Sequence, residues 1–295
     1  MRLFSRYLMA ALLLSACTPS AATKLAAPTR ARAELRLTYL GVAGYQLESG
    51  AIRILADPYF SRPAPGGAVV VPDLAAIALH APSRADLILV GHSHADHLLD
   101  VPSVALATQA QVMGSLSTAR VARASGVPDD RIITVKGGED YAFDGYSVRA
   151  IPSLHSALDH KHTFGAEIPA DVTLPMPSSG YAEGGTLAYL IRLGGHEVLF
   201  LSTANFIEHE LNGMRPDVAI VAPGLRHEVH DYTCRLMRSL GEPPLVYANH
   251  FDDLHAPAEN QEPPADVKAF ADEVRACSPR TQVVIPRAFA VYTAP

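Results

Sequence analysis

The chain has no tryptophan, only three cysteines and few charged residues. Three cysteines in 295 residues exclude a small disulfide-stapled scaffold. Charged residues make up 18% of the chain and hydrophobic residues 48%, which excludes a solvated, disordered polymer. Positive charge is also scarce, because 24 Lys and Arg face 30 Asp and Glu and give a net charge of -6. With no positive field to attract phosphates, nucleic acid is not an expected partner.

Long hydrophobic runs are absent as well, and the most apolar short segment lies at the N-terminus. The run from Leu8 to Leu14 is too short to span a bilayer, and it follows the positive residues Arg2 and Arg6. This arrangement is typical of an export signal. The next residues, Leu14-Ser15-Ala16-Cys17, resemble the lipobox of bacterial lipoproteins, which implies cleavage before Cys17 and lipidation of its thiol. A plain secretory signal is the alternative.

The predicted organisation has three parts. Residues 1–16 form a lipoprotein signal peptide, residues 17–33 a lipidated tether rich in small residues, and residues 34–295 one folded domain. Export and the lipid anchor predict a location on the periplasmic side of a bacterial membrane. Thr18 follows the cysteine in place of the Asp that retains such lipoproteins at the inner membrane, so the outer membrane is favoured.

The other two cysteines, Cys234 and Cys277, remain after lipidation of Cys17. In an oxidising compartment they can form a disulfide, or they can be two separate buried thiols. Both lie in segments with helical patterns, so the sequence leaves the choice open.

Short apolar strands and helices alternate along the domain in two β-rich halves. The run from Asp86 to Val90 is apolar throughout, as in a strand that is buried on both faces. Two such halves predict two sheets with helices on their outer faces. Residues 156–185 contain three prolines and little periodicity, and a loop of this length is typical of a functional lid.

Thirteen histidines are the most informative feature of the composition, and three of them are clustered. The segment His92-Ser93-His94-Ala95-Asp96-His97 directly follows the buried strand. His92 and His94 point to one side of an extended segment, and a turn into a helix brings Asp96 and His97 round to the same pocket. A bound cation offsets the cost of crowding these polar groups. The segment therefore predicts a metal site.

The motif H-x-H-x-D-H after a buried strand resembles the metal motif of the metallo-β-lactamase superfamily. Two further segments, Tyr39 to Tyr45 and Ile54 to Phe60, resemble the branch that contains ascorbate-6-phosphate lactonase-like proteins and, more distantly, N-acyl phosphatidylethanolamine phospholipase D. The similarity extends from about Leu35 to Tyr292. It implies an α/β fold, the four-layer αββα sandwich, and it leaves the substrate open.

The resemblance also implies the remaining metal ligands. His155 fits the third histidine of the first site, with His160 and His162 as rivals in the proline-rich loop. His250 fits the last histidine, which follows a late buried strand, and a satisfied core histidine is the alternative there. Asp57 is expected to lie near the metal pocket and to orient a ligand, with a turn residue as the alternative.

Two positions depart from the family pattern. A bridging Asp is expected after the strand His196–Leu201, but the chain has Ser202-Thr203-Ala204-Asn205. Either one metal then binds at His92, His94 and His155, or a second site is weak or uses a nearby acid such as Asp252. Otherwise Asp252, like Asp57, is expected to support the metal ligands from behind. Val42 stands where many relatives have a histidine, which is expected to affect the choice of substrate.

The expected function is that of a metal-dependent hydrolase. Three histidines on zinc leave a position for water, whose pKa falls to about 7. Asp96 is predicted to bind a second metal or to accept the proton of the water. Zinc is the predicted cofactor, as one or two ions, with manganese or iron as alternatives. The expected substrate is an ester, lactone, lactam or phosphodiester. The alternatives to this function are a phospholipase that acts on membrane lipids and a degenerate metal-binding lipoprotein without activity. The oligomeric state stays open.

Overall fold

The computed structural model describes residues 32–66, 69–158, 166–259 and 261–294. Two seven-stranded sheets pack face to face around one apolar cluster, and each sheet packs a second cluster against helices on its outer side. The predicted four-layer αββα sandwich is therefore confirmed.

The first sheet contains both ends of the domain. Its strands are β1 (Leu35–Gly41), β2 (Gly44–Ser49), β3 (Ile52–Ala56), β4 (Leu87–Leu89), β5 (Gln111–Gly114), β6 (Ile132–Thr134) and β14 (Val291–Ala294). Their spatial order is β14-β1-β2-β3-β4-β5-β6, and β3 to β6 run parallel. Helices α1 (Leu74–His80), α2 (Ala95–Leu98), α3 (Val101–Thr108) and α4 (Leu116–Ala124) belong to this half.

The second sheet is continuous in sequence. Its strands are β7 (Asp140–Phe143), β8 (Tyr146–Pro152), β9 (Leu187–Leu193), β10 (His196–Leu201), β11 (Val218–Val221), β12 (Leu245–Ala248) and β13 (Gln282–Val284). Spatial order follows chain order, and β10 to β13 run parallel. Its helices are α5 (Glu208–Leu211), α6 (Tyr232–Ser239) and α7 (Ala265–Cys277), and single 3₁₀ turns lie at Asp129–Arg131, Ser178–Gly180 and Arg226–Glu228.

The parallel strands explain where the histidines meet. Neighbouring parallel strands end at the same edge of a sheet, and ligands bind beyond their carboxyl ends. Asp57 follows β3 and His92 follows β4 in the first sheet, while Ser202 follows β10 and His250 follows β12 in the second. One edge of the sandwich therefore receives polar residues from both sheets.

Some elements differ from the sequence-based expectation. Helices α1 and α3 were not anticipated, because α1 has one fully buried side chain, Ile77, and α3 begins with a proline at its first turn. Residues 32 and 33, which the sequence analysis assigns to the tether, have partners in the sandwich. The Ala33 amide donates to the Gly194 carbonyl at 2.8 Å, and Arg32 forms an ion pair with Asp217.

A disulfide joins α6 to α7 in the structure. Cys234 and Cys277 are bonded, with their Cα atoms 5.5 Å apart. Of the two possibilities that the sequence left open, the structure has the bridge.

The proline-rich segment is only partly described. In residues 166–185, Ile168 is fully buried, its amide donates to the Ser117 hydroxyl at 2.9 Å, and Met176 packs in the same apolar cluster. This part packs as a wall of the first half, and its function as a lid stays a prediction. His160 and His162 lie outside the described residues, as do Cys17, the signal peptide and most of the tether. No helix among the described residues is long and apolar enough to cross a membrane.

Candidate metal centre

Three histidines form a first group of facing ring nitrogens. His92 Nε2 lies 3.1 Å from His94 Nδ1 and 3.2 Å from His155 Nε2, and the three ligand atoms lie within 4.8 Å of one another. His92 and His94 come from the segment after β4, and His155 follows β8. We call these residues the first trio. Nitrogen atoms at this spacing suit a tetrahedral cation such as zinc, with one position left open.

A second trio consists of Asp96, His97 and His250. The Asp96 Oδ2 atom lies 3.2 Å from His97 Nε2 and 3.1 Å from His250 Nε2, and the two histidine nitrogens are 3.2 Å apart. Helix α2 begins after His94, so its first turn brings Asp96 and His97 round toward the first trio. The His92 and His97 rings are 3.8 Å apart between centroids. The structure thus places two potential cation sites side by side.

Asp57 orients the second trio. Its Oδ2 atom is 2.7 Å from His97 Nδ1, and its Oδ1 atom accepts the Gly91 amide at 2.7 Å. The carboxylate is fully buried, and it directs the free Nε2 of His97 toward Asp96 and His250. This is the usual arrangement by which a carboxylate fixes the tautomer of a metal-binding histidine.

The two trios differ in their protonation. Burial lowers the pKa of His92 well below its usual value and that of His94 to about 4, and burial also lowers the pKa of His155. Burial opposes the charged form of His97 too, but the nearby Asp96 and Asp57 carboxylates outweigh it and raise the pKa to about 10. The histidines of the first trio are therefore neutral at pH 7, whereas the His97 ring carries both of its protons and a positive charge.

Asp252 lies outside both trios. Its Oδ1 atom accepts from the Tyr39 hydroxyl and from the Val42 amide, both at 2.7 Å, and its Oδ2 atom pairs with Arg62 at 3.0 Å. The Val42 carbonyl accepts the His250 amide at 2.5 Å. Asp252 thus positions the loop that carries His250 and so supports a member of the second trio.

The segment in place of the bridging Asp supports His155. The Thr203 hydroxyl accepts the Ser156 amide at 2.8 Å, and Asn205 Nδ2 donates to the His155 carbonyl at 3.1 Å. Ser202 is fully buried, and its hydroxyl has no partner among the described residues. A Cβ atom on Gly91 would lie 2.1 Å from that hydroxyl, so the backbone after β4 packs directly against Ser202. The sequence showed the missing carboxylate but not this supporting role.

Both trios lie in the wall of one cavity of about 310 Å³. The rest of its wall is mainly apolar and includes Leu158, Ala204, Ala222, Leu225 and Leu254. No lysine or arginine is present among the described lining residues. Tyr181 and Glu183 do not line it, and His227 and His230 line a different cavity.

Replacing Asp57 with asparagine tests its orienting role. We expect the affinity of the second trio for zinc to fall by about 10- to 100-fold, because the neutral amide polarises His97 less, while the first trio keeps its affinity. Competition with a chromogenic chelator measures both. Asp100→Asn is the matched control, since Asp100 is equally buried but bonds to Phe60 and Ser61. Equal loss in both variants would contradict the role.

A histidine-rich centre at one edge of an αββα sandwich defines the metallo-β-lactamase class of folds. The model of the beta-lactamase superfamily domain matches residues 52–242, and the chain belongs to this superfamily. The expected family resemblance is confirmed at this level.

Comparisons with individual proteins agree with the family. A UPF0173 metal-dependent hydrolase of Aeropyrum pernix is 33% identical over 137 residues, which cover 42% of this chain and 52% of the relative. A similar protein of Agrobacterium fabrum is 33% identical over 123 residues, covering 42% and 49%. The chain thus spans about half the length of these relatives. A metallo hydrolase from Ignicoccus hospitalis superposes with a TM-score of 0.61 at 19% identity, over 88% of this chain and 98% of its own.

Proposed function

We propose that this chain is a metal-dependent hydrolase whose reaction takes place in the cavity that contains the two trios. The observation that carries the proposal is the convergence of five imidazoles and one carboxylate, without any lysine or arginine in the described wall. Bound zinc would supply a Lewis acid and a water that is acidic enough to react near neutral pH.

The protein's own residues prepare this chemistry. Burial keeps the first trio neutral, so its nitrogens can bind a cation without first losing protons. Asp96 lies against both His97 and His250, and we assign it to the second cation. The role of proton acceptor, which the sequence also allowed for Asp96, is less compatible with a carboxylate that is already shared by two histidines.

The wall of the cavity favours an uncharged substrate. Leucine and alanine side chains make up most of the wall around the trios, and no described cationic side chain is present to neutralise a phosphodiester. A neutral ester, lactone or lactam buries its apolar part there at little electrostatic cost. We therefore favour acyl hydrolysis over phosphodiester hydrolysis, and place the chain in the lactonase-like branch of the family.

The compartment and the metal form part of the same proposal. The lipobox at Leu14–Cys17 supports export and a lipid anchor on the periplasmic side of a bacterial membrane, preferably the outer membrane.

The histidine-rich trios support zinc as the metal. Iron is the competing metal, since a structural neighbour is described as a diiron β-hydroxylase, with a TM-score of 0.55 at 18% identity over 90% of this chain and 55% of its own.

Metal-loaded full-length protein tests the proposal against four substrates: γ-butyrolactone, 4-nitrophenyl butyrate, bis(4-nitrophenyl) phosphate and phospholipid vesicles. We expect turnover of the first two that a chelator abolishes and zinc restores. Faster turnover of the phosphodiester or of the vesicles would overturn the acyl assignment.

A degenerate metal-binding lipoprotein is the second candidate, and the specific observation that favours it is Ser202 in place of a carboxylate. Elemental analysis that finds bound metal, together with no turnover of any of the four substrates, would support this candidate instead.

A further inference from the structure

A second cavity adjoins the metal cavity and has no role in the proposal so far. It has a volume of about 410 Å³ and shares two wall residues, Asp96 and Leu254, with the cavity that contains the trios. The two cavities are therefore neighbours, with Asp96 and Leu254 in the walls of both, beside the second trio.

The walls of the two cavities differ in chemistry. Around the trios the wall is mainly leucine and alanine, whereas the second cavity has polar groups in Tyr59, Ser178, Ser179 and His255. Its described wall contains no lysine or arginine, and Asp96 is its one charged residue. The second cavity therefore suits an uncharged group with hydroxyl or carbonyl oxygens.

Tyr59 is the most specific of these groups. The residue is 2% exposed and lines the second cavity, and none of the hydrogen bonds among the described residues involves its hydroxyl. A tyrosine hydroxyl in a cavity wall that has no partner in the chain can bond to water or to a ligand oxygen. Tyr59 therefore offers one hydrogen bond to a ligand in the second cavity.

We propose that the second cavity binds the leaving group of the substrate, and that Tyr59 selects leaving groups that are uncharged and bear hydroxyls. This inference rests on the proposed acyl hydrolysis and names its substrate class, an ester of an apolar acid with a polar, neutral alcohol. Water adds to the ester carbonyl and the bond from the acyl carbon to the alcohol oxygen breaks. The acid leaves the metal cavity, and the alcohol, which takes one proton, leaves the second cavity.

Two esters isolate the leaving group. Propyl butyrate and 2,3-dihydroxypropyl butyrate share the acyl part and the length of the alcohol, and they differ in two hydroxyls. We expect the parent to prefer the dihydroxypropyl ester in kcat/KM, and Tyr59→Phe to reduce this preference by about tenfold, which corresponds to one lost hydrogen bond. The readout is the ratio of the two kcat/KM values, since propyl butyrate offers Tyr59 no hydroxyl.

The control is another buried tyrosine. Tyr181 is 5% exposed, its hydroxyl also has no partner within the described ranges, and it lines neither cavity. Tyr181→Phe should leave the preference unchanged, and both variants should keep the thermal midpoint of the parent. A purely structural role of Tyr59 would instead slow both esters equally.

The outcomes separate this inference from the proposed function. If both esters are hydrolysed and Tyr59→Phe leaves their ratio unchanged, the inference is overturned and the hydrolase assignment stands. If neither ester reacts, a crystal soaked with the corresponding amide, N-(2,3-dihydroxypropyl)butanamide, shows whether the second cavity binds the diol. Density for the diol beside Tyr59 supports the inference, and its absence from the second cavity overturns it.

Discussion

His92→Ala is expected to lower kcat/KM for a neutral lactone by about 10³-fold or more, because without the cation of the first trio no water is activated at neutral pH. His92 is the central member of this trio, since its Nε2 atom contacts ring nitrogens of both His94 and His155. Its removal leaves two ligands, which are too few to hold zinc tightly. Elemental analysis should show the loss of one metal equivalent.

The matched control is His227→Ala. His227 is largely exposed, lines a different cavity and pairs with Asp266 on α7, so metal content and turnover should equal those of the parent. Unchanged turnover of the His92 variant would exclude the first trio from the reaction. If the variant instead loses metal while the parent itself shows no activity, the degenerate alternative is favoured.

The second large effect concerns pH. In the metal-free protein the first trio is neutral at pH 7, but His97, with a pKa near 10, must release a proton before it can bind a cation. The affinity of the second trio should therefore rise with pH, by about 100-fold between pH 7 and pH 9, because one proton is released for each ion bound. The affinity of the first trio should stay nearly constant over this range.

Calorimetry in buffers of different ionisation enthalpy measures the released proton directly, and competition with a chelator gives the two affinities. In His97→Ala the pH-dependent site should disappear, and the pH-independent one should remain. Two sites with the same pH dependence would show that Asp96 and Asp57 do not set the protonation of His97.

The buried strand before His92 and His94 could be anticipated because it depends on local sequence, whereas the four-layer fold and His155 were implied by the family resemblance. An apolar run such as Leu87–Leu89 predicts a buried strand, and polar residues after it must lie at a sheet edge. Helix α3 was missed because it is a short, mainly apolar segment with Pro102 in its first turn, and its pattern lacks a clear polar face. Such a segment is not distinguished from a loop by periodicity.

Contacts between distant segments account for what the sequence did not predict. The absence of a bridging carboxylate cast doubt on a second cation site, but Asp57 and the Val42–Asp252 contacts position His97 and His250 without it. Likewise, nothing in the order of residues places Tyr59 and Leu254 around one cavity. Both outcomes depend on loops that meet only after the two sheets have packed.

Each trio also joins the two halves of the sandwich. The first trio combines His92 and His94 with His155 from the second sheet, and the second combines Asp96 and His97 with His250, 153 residues away from His97. A bound ion is therefore a removable cross-link between the sheets. Ligand binding at about 100 times its Kd adds about 2.7 kcal/mol to the free energy of unfolding. The supply of metal around the protein would then affect its lifetime as well as its activity, because metal-depleted molecules would unfold more often and be cleaved by proteases in that state.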